Sequence, residues 1–205
     1  MSTPRAAIVV PTLDAQKAVF ATHFARASAG VPCAVVIVQD HERRGGIAPA
    51  NAGFEAALEL GAPFVVYLND DAGGFQYGWL ARMIEALEEN PRNGIACPSG
   101  GCRGGEQGKV APGAPRATVV VDQPLAWFVA VLRREMLAHV GVFDKRLHHY
   151  AGDSDLTRRA QLLGWKSVWV QDVWVEHSPG ERIQPWWDED QATYKATWDK
   201  AGRRR

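Results

Sequence analysis

The sequence predicts an α/β fold with a mostly parallel central sheet flanked by helices. Short apolar runs alternate with helix-period patterns through the first hundred residues, the rhythm of an α/β sheet. A length of 205 residues suits one compact domain that buries about 70% of its unfolded surface. A composition of 46% hydrophobic and 22% charged residues is that of a globular chain, which excludes collagen-like and disordered classes.

The elements follow in order. Ala6–Val10 reads as a buried strand ended by Pro11-Thr12, and Asp14 as the cap of a helix running to about Ala29. Gly30-Val31-Pro32 breaks that helix before a second strand, Ala34–Val38. Asn51–Leu60 is expected to be helical, stopped by Gly61-Ala62-Pro63, and Phe64–Leu68 is the third strand. Trp79–Glu89 is amphipathic, with Leu80, Met83, Ile84 and Leu87 on one face, and Ile95–Cys97 returns to the sheet. Residues 98–117 are too rich in Gly and Pro for regular structure, and a loop of that length is usually functional or mobile. Thr118–Val121 and Trp127–Leu132 read as strands, Arg134–His139 as a short helix and Asp153–Leu163 as a longer one with a buried Leu156, Ala160, Leu163 stripe. Ser167–Val170 and Val173–Glu176 are short strands, and about Gln184 to Ala201 is a final helix before the basic tip Arg203-Arg204-Arg205.

Charge and cysteine usage narrow the function classes. The formal net charge is zero, against the strongly basic balance that non-specific DNA binding favours. Residues 1–100 carry 7 basic and 10 acidic groups and residues 101–205 carry 16 and 13, so the halves differ in sign. Seven of the eight tryptophans lie after residue 126; Trp165, Trp169 and Trp174 read mostly as core. Met1–Arg5 leads into an apolar stretch too short for a secretory signal, and no run reaches the 18 apolar residues of a membrane span. Three cysteines, Cys33, Cys97 and Cys102, then read as reduced thiols in a cytoplasmic protein. Cys97 and Cys102 have no second Cys/His pair to complete a zinc site.

In open α/β sheets ligands bind beyond the carboxyl ends of the strands. The first strand is followed by Pro11-Thr12-Leu13-Asp14, with no glycine triplet for a dinucleotide and no P-loop lysine. The second ends in Gln39-Asp40 and the third in Asn69-Asp70-Asp71. Two carboxylates and an amide suit Mg²⁺ or Mn²⁺ shared with phosphates, and equally suit a polar turn. Asp153 and Asp155 can cap and charge a helix start, and a carboxylate fixed there can also serve as a general base. His177 closes the strand Val173–Glu176 before Ser178-Pro179-Gly180, as a structural histidine or a ligand.

In this order and spacing the motifs resemble family 2 glycosyltransferases of the GT-A fold, over about residues 6–180. Ile8–Thr12 is similar to the opening strand and turn, and Gly46–Gly53 to the Gly- and Asn-rich stretch of rhamnosyl- and galactofuranosyl-transferase-like members. Tyr67–Asp71 resembles the DxD motif; Val140–Asp144 with Gly152–Leu156 resembles the family's "GgFDe…EDxDL" segment; Val175-Glu176-His177 resembles its terminal metal-binding histidine. Two residues depart: Asn69 replaces the first acid of DxD, and Gly152 replaces the Glu before the base.

The resemblance implies a single catalytic domain over 1–205, with a donor half at 1–100, an acceptor half at 101–183 and a C-terminal helix and tip at 184–205. It implies an inverting, metal-dependent glycosyltransferase with Asp153 as general base. Pro11, Thr12, Asp40, Asn51, Asp70 and Arg43 would hold the donor, a UDP-sugar by first choice. Asp71, His177 and Asn69 would hold Mn²⁺ or Mg²⁺. Trp127, Tyr150, Asp155 and Trp186 would face an acceptor hydroxyl on a glycan, small molecule, protein or modified nucleic acid. Arg43 and Arg44 serve equally as solvated loop residues; the neighbouring His148 and His149 suggest a metal pair, but Tyr150 and His149 read better as shapers of the acceptor side. Ser178–Gln184 is expected to be a loop that orders over the donor. Two rivals stand: a degenerate nucleotide-sugar- or glycan-binding module, and a sugar-nucleotidyltransferase, which would normally carry a basic, Gly-rich loop after the first strand.

Overall fold

The computed structural model describes residues 3–101, 106–178, 180 and 183–202. Cys102, the Arg203-Arg204-Arg205 tip and residues 179, 181 and 182 of the expected Ser178–Gln184 loop lie outside them. The elements are β1 (Ala6–Thr12), α1 (Ala15–Ala27), β2 (Cys33–Gln39), α2 (Ile47–Glu59), β3 (Phe64–Leu68), β4 (Ala72–Gly73), α3 (Trp79–Glu88) and β5 (Asn93–Gly100). After a 3₁₀ turn at Glu106–Lys109 come β6 (Thr118–Val121), β7 (Val129–Arg133), α4 (Arg134–Val140), α5 (Gly152–Leu162), β8 (Lys166–His177) and α6 (Gln184–Gly202).

Local chemistry accounts for several boundaries. The Asp14 carboxylate accepts the N–H groups of Gln16 at 2.9 Å and Lys17 at 3.3 Å, capping α1. Helix α2 begins at Ile47, four residues before the expected Asn51. Pro49 is its third residue, a first-turn position whose missing N–H would have no intrahelical acceptor. Pro98 and Gly100, expected in a loop, extend β5 because β8 offers them parallel partners at Val170 and Val175. Leu163, expected in the buried stripe of α5, is 45% exposed, because the helix ends at Leu162; the stripe is Leu156 and Ala160.

The sheet order is β2-β1-β3-β7-β5-β8-β4, with β6 beside β8. β1 pairs in parallel with β2 and β3, and β5 with β8; β7 runs against both β3 and β5, so five strands share one direction. Alternate residues feed opposite layers. Ile8 and Val10 of β1 join Val66, Leu80, Met83 and Leu87 on the α1/α3 face. Ala7 and Val9 join Phe54, Leu137 and Leu156 on the α2/α4/α5 face. Trp165 is core as expected, whereas Trp169 and Trp174 are only half-buried.

The two short strands expected at 167–176 are one strand with an irregularity. The β5 pairing steps from Pro98↔Val170 directly to Ser99↔Trp174. The intervening bulge changes the alternation, so Val168, Val170, Val173 and Val175 all face the same core. Arg82 of α3, 9% exposed, holds the bulge: its Nε donates to the Asp172 carboxylate at 2.8 Å and a terminal nitrogen at 3.1 Å. The Ala117 N–H adds a third bond at 3.0 Å. Burial alone would raise the Asp172 carboxyl, but Arg82 and the Ala117 amide outweigh it and hold the group below the usual carboxylate range. The pair therefore stabilises the fold above the ordinary carboxyl pKa and ceases to do so as pH falls through the lowered value. Arg82→Leu is expected to cost about 3 kcal/mol in urea unfolding at neutral pH, a penalty that shrinks in strong acid; a pH-independent penalty would contradict this assignment.

Candidate functional site

The carboxyl ends of β1, β2, β3 and β8 open into a cleft of about 1250 Å³. Pro11, Thr12, Asp40 and Arg43 line one side, Asn69, Asp70, Asp71, Trp127 and His177 the middle, and Tyr150, Asp153 and Trp186 the other. Two sequence candidates are not brought there. The Asn51 amide brackets the Phe143 backbone, donating to its carbonyl at 3.0 Å and accepting its N–H at 2.9 Å. Asp155 is 3% exposed and accepts Arg159 Nε at 2.8 Å and Trp198 Nε1 at 3.2 Å.

Strand pairing creates the middle of the cleft. β4 runs antiparallel to the end of β8, with Ala72 opposite His177. That register places Asp71 Oδ1 and the Asn69 amide nitrogen each 3.2 Å from His177 Nε2. Phe128 stacks on the imidazole at 5.1 Å between centroids. Among the described residues no group of three or more His, Cys, Asp or Glu is arranged around a cation. One carboxylate, one imidazole and an amide whose oxygen and nitrogen can exchange places by a flip are nevertheless a hard and borderline donor set. It fits a Mn²⁺-class ion that takes its remaining ligands from a substrate and water. Asp70 is engaged elsewhere, accepting Thr12 Oγ1 and, at 3.3 Å, Lys17 Nζ.

Asp40 is 4% exposed at the end of β2. One carboxylate oxygen accepts the Gly45 N–H at 3.0 Å, while the Arg44 guanidinium stands 3.7 Å from the other. Arg43 reaches the cleft rim from a left-handed turn (φ 52°). Among the described residues, eight buried side-chain polar atoms lack a hydrogen bond, and four belong to cleft residues: Asp40 Oδ1, Asp71 Oδ1, Trp127 Nε1 and His177 Nδ1. Orphaned buried polar atoms are costly, and their concentration in one cleft points to a polar ligand.

Asp153 does not cap α5; Ala151 occupies the cap position in the left-handed region (φ 60°), and Asp153 lies in the first turn. Its carboxylate accepts the Ser154 N–H at 2.6 Å and the Trp127 N–H at 3.4 Å. Burial raises its pKa, and these hydrogen bonds offset only part of the effect. Gly152 is tightly enclosed: a Cβ there would come within 2.5 Å of Ile47 Cδ1 and 3.1 Å of Phe143. A side chain at this position would require the Ile47 side chain to change rotamer and the Phe143 ring to give by a few tenths of an ångström. Tyr67, not singled out from sequence, packs against Phe54, Trp127 and Phe143. Burial, then Asp153, Asp71 and Asp70, push its phenol far up, so it is a neutral donor.

Asp190 of α6 was also not legible in sequence as a site residue. Its fully buried carboxylate accepts three successive backbone N–H groups, His148 and His149 at 2.8 Å and Tyr150 at 2.7 Å. Trp186 stacks on both His148 and His149, and the Tyr150 hydroxyl accepts the Ile183 N–H at 2.8 Å. His149 Nδ1 in turn accepts the Gly46 N–H at 3.0 Å, and burial lowers the pKa of its ring. Both histidines thus join loops. The only sequence signal for Asp190 is an acid one helical turn after Trp186.

No family model matches this sequence, and no curated protein does. Among solved structures, the crystal structure of GalNAc-T7 with UDP, GalNAc and Mn²⁺ superposes with a TM-score of 0.62 at 12% identity. The match covers 85% of this chain and 44% of that one, so this chain spans less than half the length of that structure. The likeness, with the strand order above, establishes a GT-A glycosyltransferase fold.

Two measurements check the site geometry. Asp190→Ala strands three amides and is expected to cost about 2–4 kcal/mol of unfolding free energy; an unchanged urea midpoint would contradict the clamp. A raised carboxyl contributes its full stability below the ordinary carboxyl pKa and loses it as pH rises through the folded value. Asp153→Asn is therefore expected to raise Tm by on the order of 2–4 °C at pH 8, with the gain vanishing near pH 3.

Proposed function

We propose that this protein is an inverting, metal-dependent glycosyltransferase that moves a sugar from a nucleoside-diphosphate sugar to an acceptor hydroxyl. The observation that carries this reading is the pairing of Asp71 with His177 in a cleft that also holds the half-buried Asp153. The UDP and Mn²⁺ of GalNAc-T7 favour a UDP-sugar donor and a Mn²⁺-class cofactor, with Mg²⁺ as the other choice. Asp71, His177 and Asn69 would hold the ion, which when bound stabilises negative charge on the leaving diphosphate.

The remaining roles belong to the chain. Asp40 accepts an N–H of the base through Oδ1, which makes no hydrogen bond within the chain, beside Pro11 and Thr12. Arg43 meets phosphate at the rim, and Asp70, steadied by Thr12 and Lys17, lies nearer the ribose or sugar. Trp127, Tyr150 and Trp186 line the side of the cleft assigned to the acceptor. Asp153 takes the acceptor O–H proton as that oxygen bonds to the anomeric carbon and the bond to the diphosphate breaks on the opposite face. Residues 1–100 thus form the donor half and 101–183 most of the acceptor half, within one domain closed by the last helix.

Asn69, an amide where the motif has an acid, favours a second reading: a module that binds nucleotide sugar without turning it over. Turnover separates the two. With Mn²⁺ and a UDP-sugar panel the purified protein should release UDP from one donor. Asp153→Asn should lower that rate at least about 10³-fold with UDP affinity retained, and His177→Ala should weaken Mn²⁺-dependent UDP binding. NMR of the product anomer checks inversion. UDP binding with no release from any donor would establish the module.

A further inference from the structure

Helix α1 covers one side of the sheet next to the edge strand β2, and its outer face is unusually apolar. Val19 is 57% exposed, Phe20 68% and Phe24 50%, and the two phenylalanine rings pack edge to face at 4.8 Å. Projected at the helical repeat of about 100° per residue, Gln16 and Ala27 fall at the middle of the exposed arc, with Val19 and His23 on one side and Phe20 and Phe24 on the other. Lys17 and Arg26 stand at its two margins. The helix contains no Asp or Glu. Exposed aromatic residues flanked by long cations are the pattern of an interfacial helix, in which the rings enter the acyl boundary and the cations reach anionic headgroups.

We propose that α1 is a peripheral docking surface for an anionic lipid bilayer. Charge decides the occupant. A second copy packed face to face through α1 would set Lys17 and Arg26 against cations of the same helix, with no acid in either to pair with them. A bilayer carrying negative lipid complements Arg26 at one margin and, at the other, Lys17, whose half-exposed side chain also reaches Asp70 at 3.3 Å. The contact proposed is a superficial, reversible one made by the exposed side chains of α1; among the described residues no helix is long and apolar enough to cross a membrane. Its location is functional in kind: Leu13 and Lys17, at the start of α1, line the cleft. A bilayer along α1 therefore brings the cleft mouth to the headgroup layer, where a lipid-linked acceptor would present its hydroxyl. That last consequence rests on the transfer reading, whereas the docking itself does not.

The test is flotation of the purified 205-residue chain with phosphatidylcholine vesicles, with and without 30 mol% (about one lipid in three) phosphatidylglycerol. Binding is expected to the anionic vesicles alone and to fall in high salt. Phe20→Ser with Phe24→Ser is expected to lower partitioning about tenfold or more, and Arg26→Glu to lower it on anionic vesicles, with far-UV circular dichroism unchanged. Absence of vesicle binding, or binding indifferent to all three substitutions, overturns the proposal. So does a dimer seen by sedimentation that the Phe substitutions dissolve while vesicles remain unbound, since the occupant is then a second copy. UDP binding measured on the same variants is expected to be unchanged, which keeps this outcome separate from that of the transfer reading.

Discussion

The arrangement of the cleft depends on the ion pair between Arg82 and Asp172. Were residues 171–173 paired in regular register rather than bulged out, strand β8 would keep a simple two-residue alternation, and Val173, Val175 and His177 would turn to the opposite face from Val168 and Val170. The bulge is tolerable because its polar groups are answered: Asp172 by Arg82 and the Ala117 amide, and the Gln171 carbonyl by Ser99 Oγ at 3.0 Å. The corrected phase lets the end of β8 accept β4 as its antiparallel neighbour and aims the imidazole at Asp71. A contact far along the strand from the cleft thereby decides what the cleft contains.

The same economy governs the opposite wall. Residues 148–151 lack regular structure, and Ala151 is held in a left-handed conformation. An isolated loop of this kind would not fix the start of α5. Capture of its amides by Asp190, with the indole of Trp186 across the two imidazoles, converts it into a rigid ledge. The acidic residue is most of the way to the end of the chain, so the site is complete only when α6 has docked.

Much of the fold was legible because its signals are local. The apolar runs of β1 and β3, the Asp14 cap and the stripe on α3 depend on residues within a few positions of one another. The candidate residues at strand ends were legible for a related reason: strand direction alone sends Asp40, Asp71 and His177 to one edge. What escaped was long-range. The Asp190 clamp spans about forty residues, and the β8 bulge needs partners on α3 and before β6. Asn51 and Asp155 illustrate the converse, polar side chains in suggestive motifs that are consumed by backbone and Arg159 inside the protein. Leu163 shows the cost of extending a helical period one residue past its end.

Gly152 has a consequence for how this site can change over generations. The space a side chain would occupy there is already filled by Ile47 and Phe143, which belong to α2 and to the loop ahead of α5. An acidic group cannot be introduced at position 152 by a single substitution without displacing one of them. Passage between this form and one bearing a carboxylate beside Asp153 is therefore eased by a smaller residue at 47 or 143, and without one it needs a new rotamer for Ile47 and a slight retreat of the Phe143 ring. Steric occupancy thus favours one order of mutations over the other.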